Sequence, residues 1–177
     1  RKGFDVLRVL DEHLDFDRYA LSFYGNSPDS YRNIRVYKPC SSIELADRLR
    51  ESDLFINASV YEACSNSLLE ALHCGLPAVV RSSSSDSEII GGGGEVFAGC
   101  NDVLSAIERA AGRLAELRKQ IDLPSLAQVA ERYYEFCRQT HESTPAGKKK
   151  ARPVHYLHLR ALLMLRSRLM QRQAKKA

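Results

Sequence analysis

The sequence runs out of acidic residues well before it ends. From Lys148 to Ala177 it has 10 Lys or Arg and no Asp or Glu, whereas the residues before carry 16 Lys or Arg against 22 Asp or Glu. The net charge of +4 therefore conceals an acidic body of −6 and a basic tail of +10. Whatever the tail contacts, the body does not share its preference. Cysteine is sparse too: Cys40, Cys64, Cys74, Cys100 and Cys137 are odd in number, scattered, and form no CxxC. That pattern suggests neither a disulfide framework nor a zinc site, and fits a reducing compartment. No run of about 20 apolar residues and no signal peptide appear, so neither a membrane span nor export is expected. No internal repeat is visible. The first residue is Arg1 rather than Met, inside what reads as the approach to a helix, so the chain reads as a fragment of a longer protein.

What is there is an ordinary globular composition, with 44% hydrophobic and 27% charged residues among 177, enough for one domain plus extras. "GFDVLRVLDEHL" has apolar residues at helical spacing, and "YALSFYG" and "NIRVY" read as short strands. "SIELADRLRES" is an amphipathic helix with Ser41 or Ser42 as N-cap, "DLFINAS" a buried strand and "LPAVVR" another. A Ser- and Gly-rich loop is expected from there through Gly94. Short strands alternating with helices of about ten residues predict right-handed βαβ units, hence an α/β fold with a Rossmann-like parallel sheet flanked by helices. From Asn101 on the pattern is helical: "DVLSAIERAAGRLAELRK", then "LAQVAERYYEFCRQTH". The expected organisation is a Rossmann-like domain over 1–122, a helix over 123–141, a linker over 142–153 and a basic helical tail over 154–177.

The segment "SVYEACSNSLLEALHCGLPAVV" sets a glutamate on each side of a helix start. Ser65 or Asn66 suits the cap, Ser67 and Glu70 have capping-box spacing, and Gly75 and Pro77 end the helix. Following a buried strand, this helix starts at the carboxyl edge of the sheet, where open α/β folds bind ligands. Free amides of Ser65 to Leu69 would there attract an anion, phosphate above all. Glu62 cannot serve phosphate but suits sugar hydroxyls, and Glu70 suits a ribose; a nucleotide-sugar satisfies all three features. On spacing alone, Glu70 closing a capping box and Glu62 standing solvated in a loop explain the pattern as well.

The same residues resemble the Glu-x7-Glu motif of the family 4 retaining glycosyltransferases, the group 1 transferases of GT-B fold. "RKGFDVLRVL", "SDLFINASVYE" and "VVRSSSSDSEIIGGGGEVF" resemble further segments of that family in the right order, over roughly residues 1 to 140. The resemblance implies a C-terminal, donor-binding domain of a two-domain enzyme that moves a sugar from a nucleoside diphosphate, such as a UDP- or GDP-sugar, with retention and without a required metal. It implies that Glu62 faces the transferred sugar and that Lys2 neutralises the leaving diphosphate. It further implies that Glu70 meets the ribose, that Ser65 and the amides around Asn66, Ser67 and Leu68 hold the diphosphate, that Tyr37 lies by the base, and that Glu88 belongs to the donor site. The acceptor domain and an arginine partner of Lys2 would lie outside this chain, which alone should not catalyse efficiently. Ala63, Ser84, Ser85 and Lys38 stand where the family commonly has glycine.

The implied partners are the donor, a saccharide or lipid-linked acceptor, and the N-terminal acceptor domain, in the cytoplasm and at the inner membrane face if the tail is peripheral. The tail from 148 to 177 suits an anionic membrane surface, or equally a helix packed on the absent domain. Nucleic acid is not expected, because the body is acidic. Two other readings keep the fold: a non-catalytic, membrane-associated nucleotide-sugar-binding module, and a nucleotide-sugar epimerase. His13 and His73 read as structural, and Cys64, without a histidine placed to activate it, as a small packing residue.

Overall fold

The computed structural model describes residues 2–143; the tail expected over 154–177, and most of the linker before it, lie outside them. The chain divides into two units, Arg1–Leu123 and Pro124–Ala177. In the second unit the described structure is one helix, Leu126–Ser143, which continues two residues into the stretch expected to be linker.

The first unit alternates helices and strands: α1 (Phe4–His13), β1 (Ser22–Tyr24), β2 (Arg35–Tyr37), α2 (Ser42–Arg50), β3 (Phe55–Asn57), α3 (Asn66–His73), β4 (Ala78–Arg81), α4 (Asp86–Ile90), β5 (Gly94–Phe97), α5 (Val103–Ala111) and α6 (Leu114–Lys119). Every strand pairing is parallel. β1 pairs with β2 in register Phe23 to Val36, β3 with β4 in register Ile56 to Val79, and β4 with β5 in register Val79 to Glu95. Hydrogen bonding thus divides the strands into a pair, β1-β2, and a trio, β3-β4-β5.

β4 shows how the layers form. Ala78, Val79 and Val80 are all fully buried, and because strand side chains alternate, they serve two cores. Val79 joins Val6 and Leu10 of α1, Val103, Ala106, Ile107 and Ala110 of α5 and Leu117 of α6 on one face. Ala78 and Val80 join Leu68 and Leu72 of α3 and Ile90 of α4 on the other. Burying each such Leu stabilises the unit by about 1.5–3 kcal/mol. Ile34 and Phe23, from the β1-β2 side, pack into the first core, so the two sheets share it.

Three local expectations are corrected. The segment read as loop through Gly94 contains α4 and the start of β5. A five-residue helix is too short to show a period, and the glycines hide a strand whose backbone lies against β4: a Cβ at Gly94 would stand 2.0 Å from the Ala78 carbonyl oxygen. The helix read as continuous to Lys119 breaks into α5 and α6 at Gly112 and Arg113. In α3 the cap is Ser65, whose hydroxyl accepts the Leu68 amide at 3.3 Å. Glu70 is thus two positions beyond the place a capping box requires, and the capping-box explanation of it falls. Among the described residues no helix is long and apolar enough to cross a membrane.

Candidate functional site

The loop from Ala58 to Ser65 leaves the carboxyl end of β3 and delivers the chain to the N-terminus of α3. Its conformation is costly. Tyr61 has φ 59°, the left-handed region that an L side chain enters at about 1–2 kcal/mol, and its side chain is 83% exposed, so packing does not repay that cost. The loop is held at both ends instead. Before Tyr61, the Ser59 amide donates to Asn57 Oδ1 at 3.0 Å. After it, the Ser85 amide donates to the Glu62 carbonyl at 3.1 Å, and the Ser85 hydroxyl donates to the same carbonyl at 3.0 Å and to that of Ala63.

Glu62 then meets Lys2: Nζ to Oε2 is 3.1 Å. Lys2 is brought there by Gly3, whose φ of 73° turns the chain into α1 and whose missing side chain lets the backbone cross Ala58; a Cβ would stand 2.0 Å from the Ala58 oxygen. Lys2 is exposed and Glu62 half-buried.

At the start of α3 the Leu68 amide is taken by Ser65 Oγ and the Leu69 amide by the Ser65 carbonyl, while Ser65 and Ser67 hydroxyls lie 3.0 Å apart. The amides of Asn66 and Ser67 have no hydrogen-bond partner among the described residues, so the helix presents two free donors rather than the five expected. Glu70 is exposed on α3 and Glu88 on α4, each without a side-chain partner among the described residues. Tyr37 ends β2 and stacks on Tyr24, which ends β1, with ring centres 4.8 Å apart and planes 12° from parallel. The structure therefore brings Lys2 and Glu62 into contact three residues before the α3 cap, and leaves Glu70, Glu88 and Tyr37 on the surface with no contact to that pair.

Two residues of the loop's support have no place in the sequence reading. Asp86, the first residue of α4, is fully buried, and its Oδ2 accepts from Asn57 Nδ2 at 2.9 Å. Its Oδ1 is buried without a partner. Burial pushes this carboxyl up from its ordinary value; the Glu62 charge adds to that, and the Ser84 hydroxyl and Ser65 amide oppose it. Asn57 and Asp86 stand 29 positions apart, and no local spacing points to the pair. Cys64, expected to pack, is exposed. Asp15 and Asp17 have the spacing of an Asp-x-Asp motif, but they form a turn after α1 in which Asp15 Oδ1 accepts the Asp17 amide at 3.1 Å. Among the described residues no group of three or more His, Cys, Asp or Glu is placed to hold a metal ion.

Residues 8–117 match the family described as Glycosyl transferases group 1. Among solved structures, the sucrose-phosphate synthase of Thermosynechococcus elongatus shares the fold with a TM-score of 0.61 at 16% identity, over 81% of this chain and 43% of that one. This chain thus spans less than half the length of that structure. No curated protein sequence matches it. The family match runs from α1 to α6 and encloses the strained loop, its clasp and the start of α3, and with the GT-B type of fold it settles the family: the chain is a member of the group 1 glycosyl transferases.

Proposed function

We propose that the chain is the donor-binding half of a glycosyltransferase that moves a sugar from a nucleoside diphosphate to a saccharide or lipid-linked acceptor with retention. The observation that carries this reading is the Lys2–Glu62 pair at 3.1 Å, immediately before a helix N-terminus with two free amides. A diphosphate seated on the Asn66 and Ser67 amides gains from the positive end of α3 and from Lys2, whose charge counts most as the bond from the anomeric carbon to the phosphate oxygen breaks. The acceptor oxygen then bonds to that carbon from the same face, and its proton passes to the departing diphosphate. Glu62, held by Lys2, faces the sugar as a positioning and electrostatic group. Glu70 takes the ribose hydroxyls, Tyr37 lies by the base, and Glu88 borders the donor. Held by amides and a lysine, the diphosphate needs no divalent metal.

Calorimetric titration of the folded chain with UDP, GDP and their sugar conjugates tests the reading. One nucleotide should bind saturably, and Glu70→Ala should weaken it roughly tenfold with no loss of stability. A folded chain that binds none of them rejects the donor site. Transfer of sugar to an added acceptor by the full-length protein distinguishes a transferase from a binding module or an epimerase.

A further inference from the structure

The strain at Tyr61 sits between two anchors, and both lead to one buried residue. Asn57 receives the Ser59 amide on one oxygen and gives its own Nδ2 to Asp86. Ser85, which grips the Glu62 and Ala63 carbonyls, is the residue before Asp86, and the Asp86 amide donates to Ser84 Oγ at 3.3 Å. The Ser84 hydroxyl in turn donates to the Arg81 carbonyl at 3.0 Å, tying the turn to the end of β4. Asp86 is therefore where the carboxyl end of β3, the carboxyl end of β4 and the loop bearing Glu62 are joined. Losing its side chain would break the link between Asn57 and the Ser84-Ser85 turn, and a strained residue persists only while its surroundings hold it.

We propose that Asp86 is a positioning residue for Glu62: through Asn57 and the Ser84-Ser85 turn it fixes the loop over residues 58–65 and so the carboxylate that meets Lys2. The importance of that carboxylate for the donor rests on the function proposed above; the positioning itself does not. A carboxylate with one oxygen buried and unpartnered is costly, and a proton removes the cost. Of the charged groups around it, Glu62 opposes its ionisation, Lys2 is turned to Glu62, Arg81 at the end of β4 is turned to Asp5 at 3.2 Å, and Glu88 on its own helix is exposed. An asparagine has the same shape, no charge, and an oxygen to accept from Asn57, so it should substitute.

The test is hydrogen–deuterium exchange of the full chain at neutral pH, read over peptides covering 58–65 and over β4, beside UDP and GDP affinity. Asp86→Ala should speed exchange in 58–65 roughly tenfold, leave β4 protected, and weaken the nucleotide that binds; Asp86→Asn should return both to within about twofold of the parent. Unchanged exchange in a folded Asp86→Ala chain overturns the proposal, and so does an Asp86→Asn chain as loose as the alanine variant. Where Asp86→Ala fails to fold, Ser85→Ala replaces it: faster exchange confined to 58–65 supports the clasp, and no change rejects it. A parent chain that binds no nucleotide rejects the donor reading while the exchange data still judge Asp86.

Discussion

Lys2 Nζ lies 3.1 Å from Glu62 Oε2, joining the entry to α1 to the loop before α3 across 60 positions of sequence. With 67% of the Lys2 side chain and 29% of the Glu62 side chain exposed, this is a surface pair, and such pairs contribute about 0–1 kcal/mol to stability. Its position matters more than its energy. Lys2→Ala should therefore leave the urea midpoint almost unmoved and, on the function proposed above, lower nucleotide-sugar turnover by the full-length protein by tenfold or more, roughly the 1.4 kcal/mol expected for one charged contact to the leaving group. A large loss of stability with normal turnover per folded molecule contradicts that division of roles.

Gly3 should tolerate no side chain. Alanine there incurs about 1–2 kcal/mol for the left-handed backbone and must also push aside the Ala58 carbonyl, since the added atom would lie 2.0 Å from its oxygen. A total loss of about 2–4 kcal/mol is expected from chemical denaturation, with nucleotide binding lost at the same time because Lys2 is carried on the displaced turn.

Tyr61→Gly should act in the opposite direction. Glycine removes about 1–2 kcal/mol of left-handed strain and forfeits about 0.5–1 kcal/mol through its freer unfolded chain, while an 83% exposed ring gives up little packing. Stability should rise by about 0.5–1 kcal/mol and donor affinity should fall as the loop loosens, a combination that thermal melts and calorimetry can read on one sample.

Stability should depend on pH through carboxyls that pull in opposite directions. Burial alone would raise the Asp11 carboxyl, but the amides of Arg32, Asn33 and Ile34 outweigh it and hold it below the ordinary 3.8; the amides of Ala98 and Gly99 lower Asp102 in the same way. Where the folded value is the lower one, the unfolded chain binds more protons, so this contribution is present above pH 3.8 and is lost as pH falls through the folded values. Asp86 is raised, so its contribution is present below 3.8 and is lost as pH rises through its folded value. Urea titrations across pH should show Asp11→Asn losing part of the acid limb, and Asp86→Asn losing the decline that begins as pH rises above 3.8.

Much of the layer structure was legible because periodicity is local. α2 and its Ser41 cap, the punctuation of α3 and the apolar run of β4 each announce themselves within a dozen residues. β5 was not legible, because Gly94 is there for the closeness of β4 rather than for any strand preference, and α4 was too short to have a face. Ser65 was among the caps the sequence offers; the capping box from Ser67 to Glu70 was the misreading, because spacing alone does not show which hydroxyl meets an amide. The Asp86–Asn57 node was out of reach altogether, since a carboxyl in a serine-rich stretch reads as a solvated loop until the fold encloses it.

The division of the strands has a colloidal consequence. Among the described residues β1 and β3 are each paired on one side only, as are the outer strands β2 and β5, so four rows of backbone donors and acceptors stand outside any ladder where one continuous sheet would leave two. Unpaired edges are templates for another strand, and their brevity here, three or four residues each, is the usual restraint on such pairing. Self-association of the isolated chain at high concentration would thus begin at strand edges rather than at its buried apolar faces, and salt, which screens surface charge, would favour it.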